Sequence, residues 1–298
     1  MGYKVMLTKQ QEVRAREDLV AGLSHVEGHL DSDIRDEAKL VELIRTKSGS
    51  PKHCMILLAG QAQAAAMVAW FRDGNLIAFK QAAFASAKID RVVRQCDPDW
   101  LTGSPIAFGL FWPMCLLLSD HEELIRWYAG FEWYAGWDGE QPRPKWISQR
   151  NYEGLYCGYQ TTLALRGEWA RVGERSERWL QAPPARLARF IPDMRFFLAL
   201  AKGDVAGMEQ ALADIVSPKQ RCLRENWHGG YTHRLVSEEA VAYAKIAWRN
   251  GYQVDVDTPY IPREWLPVSP LPEYTDPYDF MRGFDIWQPL PARGSERP

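Results

Sequence analysis

The chain has 298 residues, 46% hydrophobic and 25% charged, with a formal net charge of -2. Such values fit a globular protein with a full core, as one large domain or two lobes. The near-neutral charge and the absence of a basic recognition module exclude direct nucleic-acid binding, and nothing points to a membrane. Five cysteines (Cys54, Cys96, Cys115, Cys157, Cys222) are scattered, without a Cys-x-x-Cys pair. They fit free thiols in a reducing compartment better than a disulfide framework. The 13 tryptophans are unusual, and many must be buried or sit at a binding surface.

The first residues have no apolar signal-peptide core, so the cytosol is the expected compartment. Val13, Leu19, Val20, Leu23, Val26 and Leu30 form the stripe of an amphipathic helix over residues 8–30. Ser32 or Asp33 can cap a second helix carrying Ile34, Val41 and Ile44. Ser48-Gly49-Ser50-Pro51 breaks the pattern. The most apolar run, Met55 to Phe71, carries Gly60, Gln61 and Gln63. It is short for a span and reads as a core helix at the centre of an N-terminal lobe. Asp73-Gly74-Asn75 is a tight turn, and Asn75 or Asp73 caps the next helix. That helix points Leu76, Ile77, Phe84, Ala87, Val92, Val93 and Cys96 inward, leaving Lys80, Lys88, Arg91 and Arg94 as a solvated face.

Pro105 starts a further helix, and Pro113 kinks or splits it. Ser119-Asp120-His121-Glu122 reads as a capping pattern for a helix through Trp127, Phe131, Trp133 and Trp137. Gln141-Pro142-Arg143-Pro144 marks a boundary. Next, Leu163-Ala164-Leu165 leads to Gly167-Glu168 and a helical pattern out to Trp179, ended at Pro183. Leu198-Ala199-Leu200 leads to Gly203-Asp204 and a second pattern out to Ile215, ended at Pro218. The Gly-acid pair recurs after 36 residues. A helix ending at Gly, then a carboxylate to cap the next, signals a helical hairpin. The recurrence lies close to the ~34-residue tetratricopeptide period. Ser237-Glu238-Glu239 opens a last helix to Trp248, stopped by Asn250-Gly251.

Nine of the 19 prolines follow Gly251. Val254–Asp257 alternates as a short strand would. The remainder is an extended tail whose aromatics (Tyr260, Trp265, Tyr274, Tyr278, Phe280, Phe284, Trp287) predict that it lies on the helical body as far as Trp287. The predicted fold is all-α: some eleven helices in irregular stacked hairpins, tetratricopeptide-like, with an extended Pro- and aromatic-rich C-terminal tail. Its divisions are an N-terminal helical lobe (1–140), a helical-hairpin lobe (145–251) and the C-terminal segment (252–298).

No catalytic apparatus is legible. His228-Gly229-Gly230 has the look of an oxyanion loop, but no Gly-x-Ser-x-Gly elbow accompanies it. His228 and His233 are spaced wrongly for one helical face, and no carboxylate cluster completes a metal site. No metal or other cofactor is expected. A hydrolase acting through His228 and His233 is the alternative class, and a scaffold joining several proteins is a third. For binding, Asp120, Glu122 and Glu123 gather at a helix start, where capping is the default role. Trp127, Tyr128, Phe131, Trp133, Tyr134 and Trp137 are too many aromatics for one buried stripe. The expected partner-binding residues are Asp120, Glu122, Glu123, Trp127, Trp133, Trp137 and Asp138, with Trp227 and Tyr231 from the Asn226–His233 loop.

Val236-Ser237-Glu238-Glu239-Ala240 through Ala247, then Gly251-Tyr252, Val254-Asp255-Val256-Asp257 and Thr258-Pro259-Tyr260-Ile261-Pro262, resembles the end of the immunity protein 49 family. Asp73-Gly74-Asn75-Leu76 with Ala78-Phe79-Lys80-Gln81 is also similar to it. The resemblance implies an antidote that binds a cognate secreted bacterial toxin delivered by type VI or contact-dependent systems. A toxin met in the cytosol by such an antidote is expected to be a nuclease, whose basic site carboxylates can plug.

Overall fold

The computed structural model describes residues 3–4, 8–31, 36–96, 113–130, 149–183, 185–224 and 230–282. Thirteen α-helices lie among them: α1 Lys9–Leu30, α2 Glu37–Arg45, α3 Pro51–Phe71, α4 Leu76–Cys96, α5 Pro113–Leu118, α6 Glu122–Gly130, α7 Gln149–Leu165, α8 Trp169–Gln181, α9 Ile191–Lys202, α10 Val205–Ile215, α11 Pro218–Arg224, α12 Glu238–Arg249 and α13 Asp279–Arg282. Two 3-10 turns, Ala185–Phe190 and Arg263–Trp265, interrupt the series. The fold is all-α with helices packed in neighbouring pairs.

Local chemistry explains most boundaries. Thr8 and Gln11 form a reciprocal capping box at the start of α1. The second helix begins later than the expected Ser32 or Asp33 cap: Asp36 accepts from the Lys39 N–H at 3.1 Å, while Ser32, Asp33 and Ile34 lie outside the described residues. Asn75 caps α4 by accepting from the Ala78 N–H at 3.0 Å. Pro113 and Pro218 each open a helix, because a proline at the first position gives up only an N–H that has no helical partner.

The two Gly-acid turns share one hydrogen-bond pattern. Glu168 N–H donates to the Leu163 carbonyl at 3.0 Å, and Asp204 N–H to the Ala199 carbonyl at 2.9 Å. Gly167 (φ 72°) and Gly203 (φ 67°) supply the left-handed residue such a C-terminus needs. They differ beyond that point. Asp204 caps α10 through the Gly207 N–H at 3.0 Å, whereas Glu168 makes no cap and pairs with Arg171 at 3.0 Å. The α7–α8 seam is polar: Gln160 donates to Ser176 Oγ at 2.8 Å and accepts from Arg175 Nε at 2.9 Å, all three side chains buried.

α3 lies against α1, α2 and α4 and buries Leu58, Ala64, Ala66, Met67 and Val68. By length and composition it could cross a membrane, and here it is a packing helix. The most enclosed element is α12, buried at every position from Glu238 to Ala247. One continuous core runs from Val26 to Leu266, and a smaller cluster joins α2, α3 and α4 to Met281. Val256–Asp257 pairs in parallel with Tyr3–Lys4. The segment after α12 then lies over α4. Trp265 is wholly buried and stacks on Phe79 at 4.2 Å, Tyr274 OH donates to the Ser119 carbonyl at 2.5 Å, and Gln81 donates to the Thr275 carbonyl at 2.6 Å. Phe284 and Trp287 lie outside the described residues.

This covering corrects the reading of α4. Lys80 and Arg91 are buried, and Lys88 grips Asp276 at 2.6 Å. Ile77, expected inside, is 70% exposed. A helical wheel assumes one buried face; α4 has α3 on one side and the C-terminal segment on another, so its basic stripe is covered too. Arg94's side chain lies outside the description.

Candidate functional site

The acidic group at the start of α6 divides. Asp120 has a left-handed backbone (φ 57°), which turns its carboxylate away from the helix it precedes and into the interior. Its Oδ2 accepts from Lys80 Nζ at 2.7 Å, from Lys245 Nζ at 2.9 Å and from the Ser269 N–H at 3.1 Å. Arg249 Nη1 stands 3.5 Å from Oδ1. The expectation that Asp120 offers a surface charge is therefore corrected: Lys80 of α4 with Lys245 and Arg249 of α12 supply more positive charge than one carboxylate carries, the C-terminal segment adds a backbone N–H, and together they draw it inward. Lys245 spends its remaining donors on the carbonyls of Trp265 (3.0 Å) and Pro267 (2.8 Å). Burial still pulls its ammonium down to about 8, against the pull of Asp120.

Glu122 and Glu123 are exposed, and Glu122 also receives the Arg249 guanidinium. Arg249 thus ties the buried carboxylate to the surface one. Trp127 is half-buried, packed on the core, with the Arg91 guanidinium over its ring at 4.9 Å. Trp133, Trp137, Asp138 and Trp227 lie outside the described residues, as does His228. Tyr231 is half-buried and does not extend the α6 surface. It packs on α1 and α3 instead, edge-on to His29 at 5.2 Å and so close to Gly60 that a Cβ there would stand 2.9 Å from its ring. His233 is half-buried in the turn before α12.

A second buried charge cluster escaped the sequence reading. Arg224 donates to both oxygens of Asp193, at 3.2 Å to Oδ1, and stands 3.7 Å from Glu239. Tyr243 OH adds a bond to Asp193 at 2.9 Å. Beside it, Glu238 accepts from Thr232 Oγ1, and burial pushes its carboxyl up to about 8. One signal was available. Glu238, Glu239 and Lys245 sit in a run, Ala240-Val241-Ala242-Tyr243-Ala244 with Ile246-Ala247, too apolar to have a solvent face. Charges in an all-apolar helix need buried partners.

Comparison with known proteins adds a family. No curated protein and no solved structure matches the chain. Residues 169–265, from the first residue of α8 to the last of the Arg263–Trp265 turn, match the family model described as Immunity protein 49. The matched segment holds the whole Asp193–Arg224–Glu239 cluster, Lys245 and Trp265, while Lys80 and Asp120 lie before it. It supports an immunity-protein role and, in general terms, a protein partner. The match spans residues 169–265 of the chain's 298 and supports classifying that segment with the Immunity protein 49 family.

Proposed function

We propose that this chain is the antidote to a secreted bacterial toxin: it binds the toxic domain as a folded protein, blocks it, and turns over no substrate. The family match over residues 169–265 carries this reading. We place the encounter in the cytosol and take the toxin to be a nuclease effector of a type VI or related system. The buried thiols of Cys54, Cys115 and Cys157 favour a reducing compartment. The exposed carboxylates of Glu122 and Glu123, at one end of α6, are suited to the basic surface a nuclease presents to its substrate. The binding face is α6, with Glu122 and Glu123 steering the encounter and Trp127 giving apolar area. The Gly-acid turns at 167 and 203 support stacked, tetratricopeptide-like hairpins that would hold this face rigid.

The experiment is co-purification of the full chain with the product of the neighbouring gene, followed by rescue of growth when both are expressed. A stable complex and restored growth are expected. Failure of both, or hydrolysis by the purified protein that is lost in His228→Ala, refutes the reading.

A further inference from the structure

α1, α11 and the turn before α12 enclose a cleft of about 240 Å³ whose lining includes four arginines. Arg14, Arg221, Arg224, His233 and Arg234 line it, with Asp18 as its single acid. That acid is already engaged. Arg14 stands 3.5 Å from it, Arg221 3.3 Å, and Tyr260 OH donates to it at 3.4 Å. Arg221 is further fixed with its guanidinium 3.4 Å from the centre of the Tyr260 ring. Arg224 spends its terminal nitrogens on Asp193 and Glu239, yet its buried Nε has no hydrogen-bond partner among the described residues.

Arg234 is the informative residue. It is half-buried and lines the cleft, but no acid among the described residues pairs with it. Its backbone is left-handed, φ 67°, a conformation that costs a non-glycine residue free energy. Glycines hold the corresponding conformation at 167, 203, 230 and 251. Here an arginine is held so, and aimed at a cleft already rich in positive charge. Arg14 and Arg221 share the one Asp18 carboxylate and Arg234 adds a further cation, so the concave site carries positive charge in excess of its acid; such an excess attracts an anion, and guanidinium forks favour an oxyanion. The volume is below the roughly 300–1,000 Å³ of sites for drug-sized ligands. It suits a single side chain.

We propose that this cleft is an anion-recognition site that takes a carboxylate side chain of the bound toxin, between Arg14, Arg221 and Arg234. The inference rests on the antidote reading and adds to it a second contact of opposite sign to the acidic α6 face. A partner that is basic where it meets Glu122 and Glu123 must then present an acid to this cleft, which fixes the register of the complex.

The test uses the full chain and the neighbouring gene's product. Arg14 is 69% exposed at its side chain, and Arg234→Gly removes the cation together with the left-handed strain, so the double variant Arg14→Ala/Arg234→Gly keeps its fold. Thermal unfolding checks this, and Arg45→Ala on the exposed face of α2 is the control. The double variant should bind the toxin at least tenfold more weakly, with a shallower dependence of log Kd on log salt, while the control is unchanged. Wild-type affinity and slope in the double variant would overturn the cleft and leave the antidote reading intact. Failure of the wild-type protein itself to bind would overturn both. In a parallel arm, malonate and inorganic phosphate are titrated into the toxin-free proteins. An anion that stabilises the wild type and not the double variant, with toxin binding unaltered, would assign the cleft to a free small anion and overturn the toxin contact.

Discussion

Asp120 and Lys245 meet at 2.9 Å across 125 residues of sequence, and both side chains are wholly buried. Neither charge could stand alone there. Lys80 reaches the same carboxylate, so removing Asp120 strands two ammonium groups in the interior. Asp120→Ala should lower unfolding stability by about 3–5 kcal/mol, the range for breaking a buried ion pair from one side. Asp120→Asn/Lys245→Met removes both partners and should recover part of that loss. Urea unfolding of the three proteins is the measurement. An Asp120→Ala variant as stable as the wild type would mean that the carboxylate does not hold the cluster together.

Glu238 sets a pH dependence of unusual sign. Burial raises its carboxyl from 4.5 to about 8. Below about pH 4.5 it is neutral both folded and unfolded. Between about 4.5 and 8 the unfolded chain gives up the proton and the folded chain keeps it. This group's contribution to stability therefore falls as pH rises through that window and levels off above it. Glu238→Gln can still accept from Thr232 and has no proton to lose. Its urea midpoint should decline less than the wild type's between pH 5 and pH 8. Equal slopes would show Glu238 to be ionised in the folded protein.

Trp265 is buried without exposure and its indole N–H has no acceptor among the described residues. Its contribution is packing, on Phe79 above all, with Trp70 and Phe71 edge-on at 6.1 and 5.8 Å. Trp265→Ala should cost about 3–5 kcal/mol by opening a cavity. Trp265→Phe should cost clearly less, because it keeps a stacked ring and removes an unsatisfied donor. If both variants lose the same stability, the stack on Phe79 is not what the indole supplies.

The exposed carboxylates of α6 should act on the rate of encounter. Glu122→Lys/Glu123→Lys should slow association with the toxin by up to about tenfold at low salt, with little change in dissociation. Arg249 contacts Glu122, so Glu122→Gln/Glu123→Gln is run alongside to separate steering from repulsion within the protein. Trp127→Ala should weaken binding by about 2 kcal/mol if the ring is an anchor. Its melting temperature must be read beside it, because Trp127 also covers Arg91. Unchanged association rates in both charge variants would move the docking face away from α6.

The sequence read well where one residue type has one use. Glycine in a left-handed helix terminus marked both hairpin turns, and Asn75 marked its cap. It read poorly where a side chain's role depends on a distant segment. Lys80 and Lys88 have the spacing of a solvated stripe, and only the return of residues 265–276 across α4 makes them interior. Asp120 has the sequence setting of a surface acid for the same reason: its partners come from 40 residues before it and 125 after. The parallel pairing of Tyr3–Lys4 with Val256–Asp257 is likewise invisible locally, since two residues carry no alternation. Arg234 offered no pattern at all, because a left-handed arginine is fixed by the turn around it.

The late position of the segment over α4 has a consequence for synthesis. Lys80 and Lys245 complete their hydrogen bonds only with the Trp265, Pro267 and Ser269 carbonyls. On the ribosome, α4 and α12 must wait, their central lysines unsatisfied, until those residues emerge. The buried charge cluster is then completed in one step, when residues 265–269 arrive, instead of growing with chain length. A chain cut before Trp265 would leave both buried ammonium groups short of these carbonyls.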